Sequence, residues 1–99
     1  MSKPLKVTFA ESAILDLEGI REYYREQQVP EVGERFLQEI IALIEELPTY
    51  PDRGRIVPEF NQALLRELIH PPFRIVYRHD SQRIVIVRVW RSERLMKLP

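Results

Sequence analysis

Ninety-nine residues, 44% of them hydrophobic and 30% charged, are enough for one domain with one core and too few for two, so residues 1–99 read as a single domain. The absence of cysteine excludes a disulfide framework, a thiolate nucleophile and a cysteine-bound zinc; Met1-Ser2-Lys3-Pro4 lacks the apolar run of a signal peptide and no stretch nears the roughly 20 apolar residues of a membrane span, which points to a soluble cytoplasmic protein without a membrane partner. The net charge of zero hides an asymmetry: residues 1–50 carry 5 Lys+Arg against 10 Asp+Glu and residues 51–99 carry 10 against 5, so the basic second half keeps nucleic-acid binding open.

Lys6-Val7-Thr8-Phe9 alternates polar and apolar and reads as a short first strand. From Glu11 to Gln27, Ala13, Leu17, Ile20 and Tyr24 recur at helical spacing, while Glu18, Glu22 and Glu26 mark a solvated side. Pro30 suits the first turn of a second helix, whose apolar stripe is Val32, Phe36, Ile40, Leu43 and Leu47, and Pro48 ends it. Two such helices joined by a few residues form an antiparallel hairpin, with Tyr23, Tyr24 and Phe36 in its core or seam.

Residues 48–55 are rich in Pro and Gly and read as a loop. After it the period becomes two, and Leu64 to Ile69, Phe73 to Arg78 and Arg83 to Trp90 read as strands. In the middle one Phe73, Ile75 and Tyr77 share the packed face, leaving Arg74, Val76 and Arg78 on an open one. In the last, Val85, Val87 and Val89 oppose Ile84, Ile86, Arg88 and Trp90; two apolar faces place this strand inside the sheet. The expected fold is α+β, ordered β-α-α-β-β-β, with a helical hairpin on one face of a small, mainly antiparallel sheet.

Ala13, Asp16-Leu17, Ile20 and Tyr23, then Leu47-Pro48, Gly54-Arg55, Leu65-Arg66-Glu67-Leu68, Phe73 to Arg78, and Val87-Arg88-Val89-Trp90 with Arg94 follow one another over nearly the whole chain. In this order they resemble the RelE/ParE toxins of bacterial type II toxin–antitoxin systems, the plasmid-stabilisation type. The resemblance implies a toxin held in a hetero-oligomer by a cognate antitoxin, whose extended or helical tail wraps it. It implies one of two targets: RelE-like members cut messenger RNA on the ribosome, and ParE-like members act on DNA gyrase without nuclease chemistry.

Arg74 matches the arginine with which RelE-like members hold phosphate, although ParE-like members commonly have an arginine there too, and it heads a set of target- or antitoxin-binding candidates that also contains Arg66, Arg78, Trp90, Arg91 and Arg94. Arg66 and Arg88 are candidates for the same open face if the strand register allows, with Arg88 alternatively pairing with Glu67. The positions matching the further arginine and the C-terminal tyrosine of many RNA-cutting relatives hold Ser92 and Leu98, so no catalytic residue is assigned and the gyrase-binding branch is favoured over the endoribonuclease. His70 and His79 lack a ligand spacing and read as loop residues, so no metal or cofactor is expected.

Overall fold

A computed structural model describes residues 5–92, running β1 (Lys6–Phe9), α1 (Glu11–Glu26), α2 (Pro30–Glu46), β2 (Arg55–Ile56), β3 (Leu65–His70), β4 (Phe73–His79) and β5 (Arg83–Arg91). The strands form one mixed sheet in the order β1-β5-β4-β3-β2, with β1 parallel to β5 and every other pair antiparallel. The two helices pack on one face of it, which is the α+β arrangement expected. The two-residue β2 was not anticipated, because a strand this short falls inside a turn-rich segment and shows no alternation of its own. Among the described residues no helix is long and apolar enough to cross a membrane.

The helical hairpin is set by local chemistry. Gln28 takes a positive φ of 63° past the end of α1, and Pro30 opens α2 where its missing N–H leaves no helical bond unmade. The helices then approach closely at Gly33, where an added Cβ would lie 2.9 Å from Tyr24 Cβ. This contact rotates α2 relative to the expected stripe: Gly33, Leu37, Ile40, Ile44 and Leu47 are buried, whereas Val32, Phe36 and Leu43 only flank the core. On α1 the core residues are Ala13, Ile20 and Tyr24, with Leu17 partly buried. Of the core or seam positions expected for Tyr23, the core one is not taken: it is 45% exposed, turned about 100° away from Tyr24 by the helical step and edge-on to its ring.

The sheet contributes Leu68, Phe73, Ile75, Tyr77, Ile84, Ile86 and Val89 to the same core. The face assignment of β5 needs correcting beyond Ile86. Tyr77 pairs with Ile86 but Val76 with Arg88, so Val87 is an extra residue and the alternation slips there. Val89 therefore joins Ile84 and Ile86 on the helix side, and Trp90 moves to the opposite side, where it packs on Val57, Leu65 and Val76. Residues 57–64 cross this second side as a strap whose buried anchor is Val57.

Ile40 is completely buried between hairpin and sheet, so Ile40→Ala is expected to destabilise the fold by roughly 2–5 kcal/mol. Gln38, two residues earlier, is exposed, and Gln38→Ala should leave the melting temperature nearly unchanged. Equal melting of both variants would show that this side of α2 does not carry the core.

Candidate functional site

The central arginine of β4 is not on an open surface. Arg74 is only 6% exposed, and the expectation that it lines a solvated face is overturned. Its Nε donates to Glu67 Oε1 at 2.6 Å, and its Nη1 and Nη2 donate in parallel to Glu59 of the strap, both at 2.9 Å. Nη2 also contacts Glu67. The second oxygen of Glu67 accepts from Arg55 Nε at 2.7 Å, so this carboxylate, whose side chain is fully buried, is held by two guanidiniums. A guanidinium forked on two carboxylates is stronger than a simple ion pair, and Arg74 and Glu67 are shielded from water while Glu59 keeps an exposed flank. Bonding to Arg74 lowers the Glu59 carboxyl to about 2, and bonding to Glu59 in turn raises Arg74.

The other candidates separate onto different parts of the molecule. Arg66 pairs in register with Tyr77 and so lies on the helix side of β3, away from the face of Arg74; the register on which a shared open face depended does not provide it. Its Nη1 donates to Gly54 O at 2.9 Å, and its Nε lies 3.4 Å from Asp52 Oδ1, near enough for attraction but without a hydrogen bond. Tyr77 secures the same loop by donating to Pro51 O and accepting from Gly54 N. Arg78 is exposed, beside the hairpin turn, and has no ion pair among the described residues. Arg94 lies outside the described residues, as do Glu93 and Leu98. Ser92 ends the described chain, with its amide donating to Pro72 O at 2.7 Å.

The two histidines close β3 and β4 rather than sitting free in loops. His70 Nε2 lies 2.8 Å from Glu39 Oε1 and His79 Nε2 lies 2.7 Å from Asp52 Oδ1, so each ties the sheet to α2 or to the loop after it. Among the described residues no group of three His, Cys, Asp or Glu side chains could hold a metal ion.

Arg88, Trp90 and Arg91 meet along the free edge of β5. Where β1 stops at Phe9, α1 takes over the edge: Ala10 N donates to Ile86 O, Ser12 Oγ to Val87 O at 2.7 Å, and Asp16 accepts from Val89 N at 2.9 Å. Asp16 also holds Arg88 bidentately, at 2.7 and 2.9 Å, in place of the pairing with Glu67 considered from sequence. The Arg88 guanidinium stacks 4.5 Å above the Trp90 ring, and Arg91 lies over Tyr23 and Phe73 while reaching Tyr24 Oη. Beyond this seal α1 and β5 diverge and leave a groove of about 450 Å³, lined chiefly by Leu15, Gly19, Tyr23, Arg88, Trp90 and Arg91.

That groove combines exposed apolar side chains with two cations, the combination binding hot spots favour. Leu15 and Tyr23 are 58% and 45% exposed at its rim, and the sequence signal for them was available: both stand off the stripe formed by Ala13, Ile20 and Tyr24. Asp16 and Ser12 were also legible as an i, i+4 pair of hydrogen-bonding side chains on α1. Glu59 was not, because nothing local in residues 57–64 indicates that the strap folds back over β4.

Arg74→Ala removes one of the two cationic partners of buried Glu67 and the partner of Glu59, and is expected to destabilise the fold by roughly 3–5 kcal/mol, where a solvated arginine would have little effect. Glu59 gives a pH signature. A carboxyl lowered from 4.5 to about 2 contributes stability that is complete above pH 4.5 and lost as pH falls towards 2. Glu59→Gln should therefore melt below the parent at pH 6, and the gap should close as pH approaches 2. A gap that is constant with pH would contradict the pairing.

Comparison with known proteins places this geometry. Residues 7–96 match the family model described as the ParE toxin of the type II toxin–antitoxin system parDE. Among solved structures, the chain is similar to a chromosomal ParDE toxin–antitoxin system from P. aeruginosa, with a TM-score of 0.75 and 24% identity over 91% of this chain and 98% of that one. It is also similar to the toxin–antitoxin complex RelBE2 from Mycobacterium tuberculosis, with a TM-score of 0.63 and 22% identity over 90% and 99% of the two chains. No curated protein matches it. A family model that covers the chain from β1 through β5 and beyond is decisive, and the chain belongs to the ParE toxin family of type II toxin–antitoxin systems.

Proposed function

We propose that this toxin acts by binding DNA gyrase rather than by cutting RNA, and that a cognate antitoxin neutralises it by occupying the groove between α1 and β5. The observation that carries the first part is the state of Arg74. Cleavage of RNA through its 2′-hydroxyl needs a base, an acid and positive charge on the phosphorane. Arg74 stands where nuclease relatives hold phosphate, yet Glu59 and Glu67 engage its guanidinium from both sides. A phosphate would have to displace a bidentate carboxylate and settle beside a second, buried one. Glu59 itself, at about 2, is ionised at neutral pH, so it has no proton to give a leaving oxygen.

The groove supports the second part. It joins exposed apolar side chains to the guanidiniums of Arg88 and Arg91. An antitoxin segment with apolar residues flanked by acidic ones complements that lining in both shape and charge. Arg78 and the strap remain available to a different protein surface when the groove is filled.

Purified toxin is expected to inhibit supercoiling by purified gyrase and to release it when the antitoxin is added. Primer extension on ribosome-bound transcripts is expected to show intact messages. Codon-phased cuts that appear with the toxin, together with unaffected supercoiling, would replace this reading with the ribosome-dependent endoribonuclease.

A further inference from the structure

Two of the three glycines are explained by the fold. An added Cβ would lie 2.9 Å from Tyr24 Cβ at Gly33 and 2.6 Å from Glu67 O at Gly54, so neither site admits a side chain without movement. Gly19 is different, because an added Cβ there would meet nothing within 4 Å. It lies in the interior of α1, exposed and well away from both caps, where glycine is the least favourable residue except proline. Among the described residues nothing makes use of its missing side chain.

Its position supplies a use. Gly19 lies one helical turn from Leu15 and one from Tyr23, and all three line the groove against β5. The two flanking side chains stand up as exposed walls while Gly19 leaves bare backbone between them. Trp90 and the guanidiniums of Arg88 and Arg91 form the far side. The volume of about 450 Å³ falls within the range of roughly 300–1,000 Å³ typical of binding pockets.

We propose that Gly19 sets the depth of this groove for the antitoxin: one large apolar side chain of the antitoxin seats on the α1 backbone at Gly19, between Leu15 and Tyr23. The proposal rests on the antitoxin reading of the groove. It assigns a helix-weakening glycine to intermolecular contact and makes residue 19 the position that decides which antitoxin segment fits. Any side chain there would fill the floor of the groove without disturbing the toxin's own packing.

The probe is the purified product of the small reading frame adjacent to this gene, titrated into the toxin and into Gly19→Ala, Gly19→Leu and Gln38→Leu. Gly19→Ala is expected to melt a few degrees above the parent, because alanine favours the helix and meets no clash. It should nonetheless bind the probe about 10-fold more weakly, and Gly19→Leu about 100-fold more weakly, as overpacking of a fitted contact does. Gln38→Leu, on the exposed side of α2, should bind like the parent. Parent-like binding by both Gly19 variants would overturn the proposal while leaving the antitoxin reading intact. So would a Gly19→Leu variant that melts well below the parent. Failure of the parent itself to bind the probe would overturn the antitoxin reading, and this proposal with it.

Discussion

A carboxylate with no exposed surface, Glu67, fixes the side of the sheet that the helices do not cover. Burying such a charge is tolerable only when it is paired and fully hydrogen-bonded, and Arg55 and Arg74 supply both conditions. Arg74 then has donors left over, and Glu59 takes them, bringing residues 57–64 across the sheet. Val57, Leu65, Val76 and Trp90 pack beneath and beside that strap as a second, smaller core. The fold thus uses the mid-strand arginine of β4 as a structural clamp.

A similar economy operates at the other edge of the sheet. β1 is only four residues long and pairs with the first part of β5, which would leave the rest of β5 as an exposed edge open to pairing with another chain. Ser12 and Asp16 close most of it by bonding Val87 O and Val89 N from the side of α1. Asp16 also captures Arg88, so the same carboxylate holds the helix to the strand and orients one wall of the groove. What this edge then offers is side chains of α1 and β5 more than free backbone.

The elements themselves were largely legible. Helical spacing of Ala13, Ile20 and Tyr24, Pro30 at a helix start, and alternation through Phe73, Ile75 and Tyr77 depend on local chemistry, and each element they announced exists. What could not be read depends on contacts between distant segments. The bulge at Val87 arises from pairing with β4, and it reverses the faces of Val89 and Trp90 although the apolar residues continue uninterrupted. The rotation of α2 follows from the approach of Gly33 to Tyr24, which shifts burial onto Leu37 and Ile44. At the site, Arg66 was a candidate for a shared face only if the register of β3 allowed it, and the register does not. Arg74 was correctly placed as a mid-strand side chain pointing away from the helices, but the strap that covers it lies fifteen residues earlier and carries no periodic signal.

Whether Arg74 is a buried clamp or an accessible anion site is decided directly by side-chain NMR of the arginine Nε–H groups. Hydrogen exchange at Nε reports burial and hydrogen bonding, and exposed Arg78 in the same strand provides an internal reference. The clamp predicts an Arg74 Nε–H signal that exchanges far more slowly than that of Arg78 at neutral pH and does not move when inorganic phosphate or a short RNA is added. An Arg74 signal that exchanges as fast as that of Arg78, or shifts in a saturable way with phosphate, would contradict it.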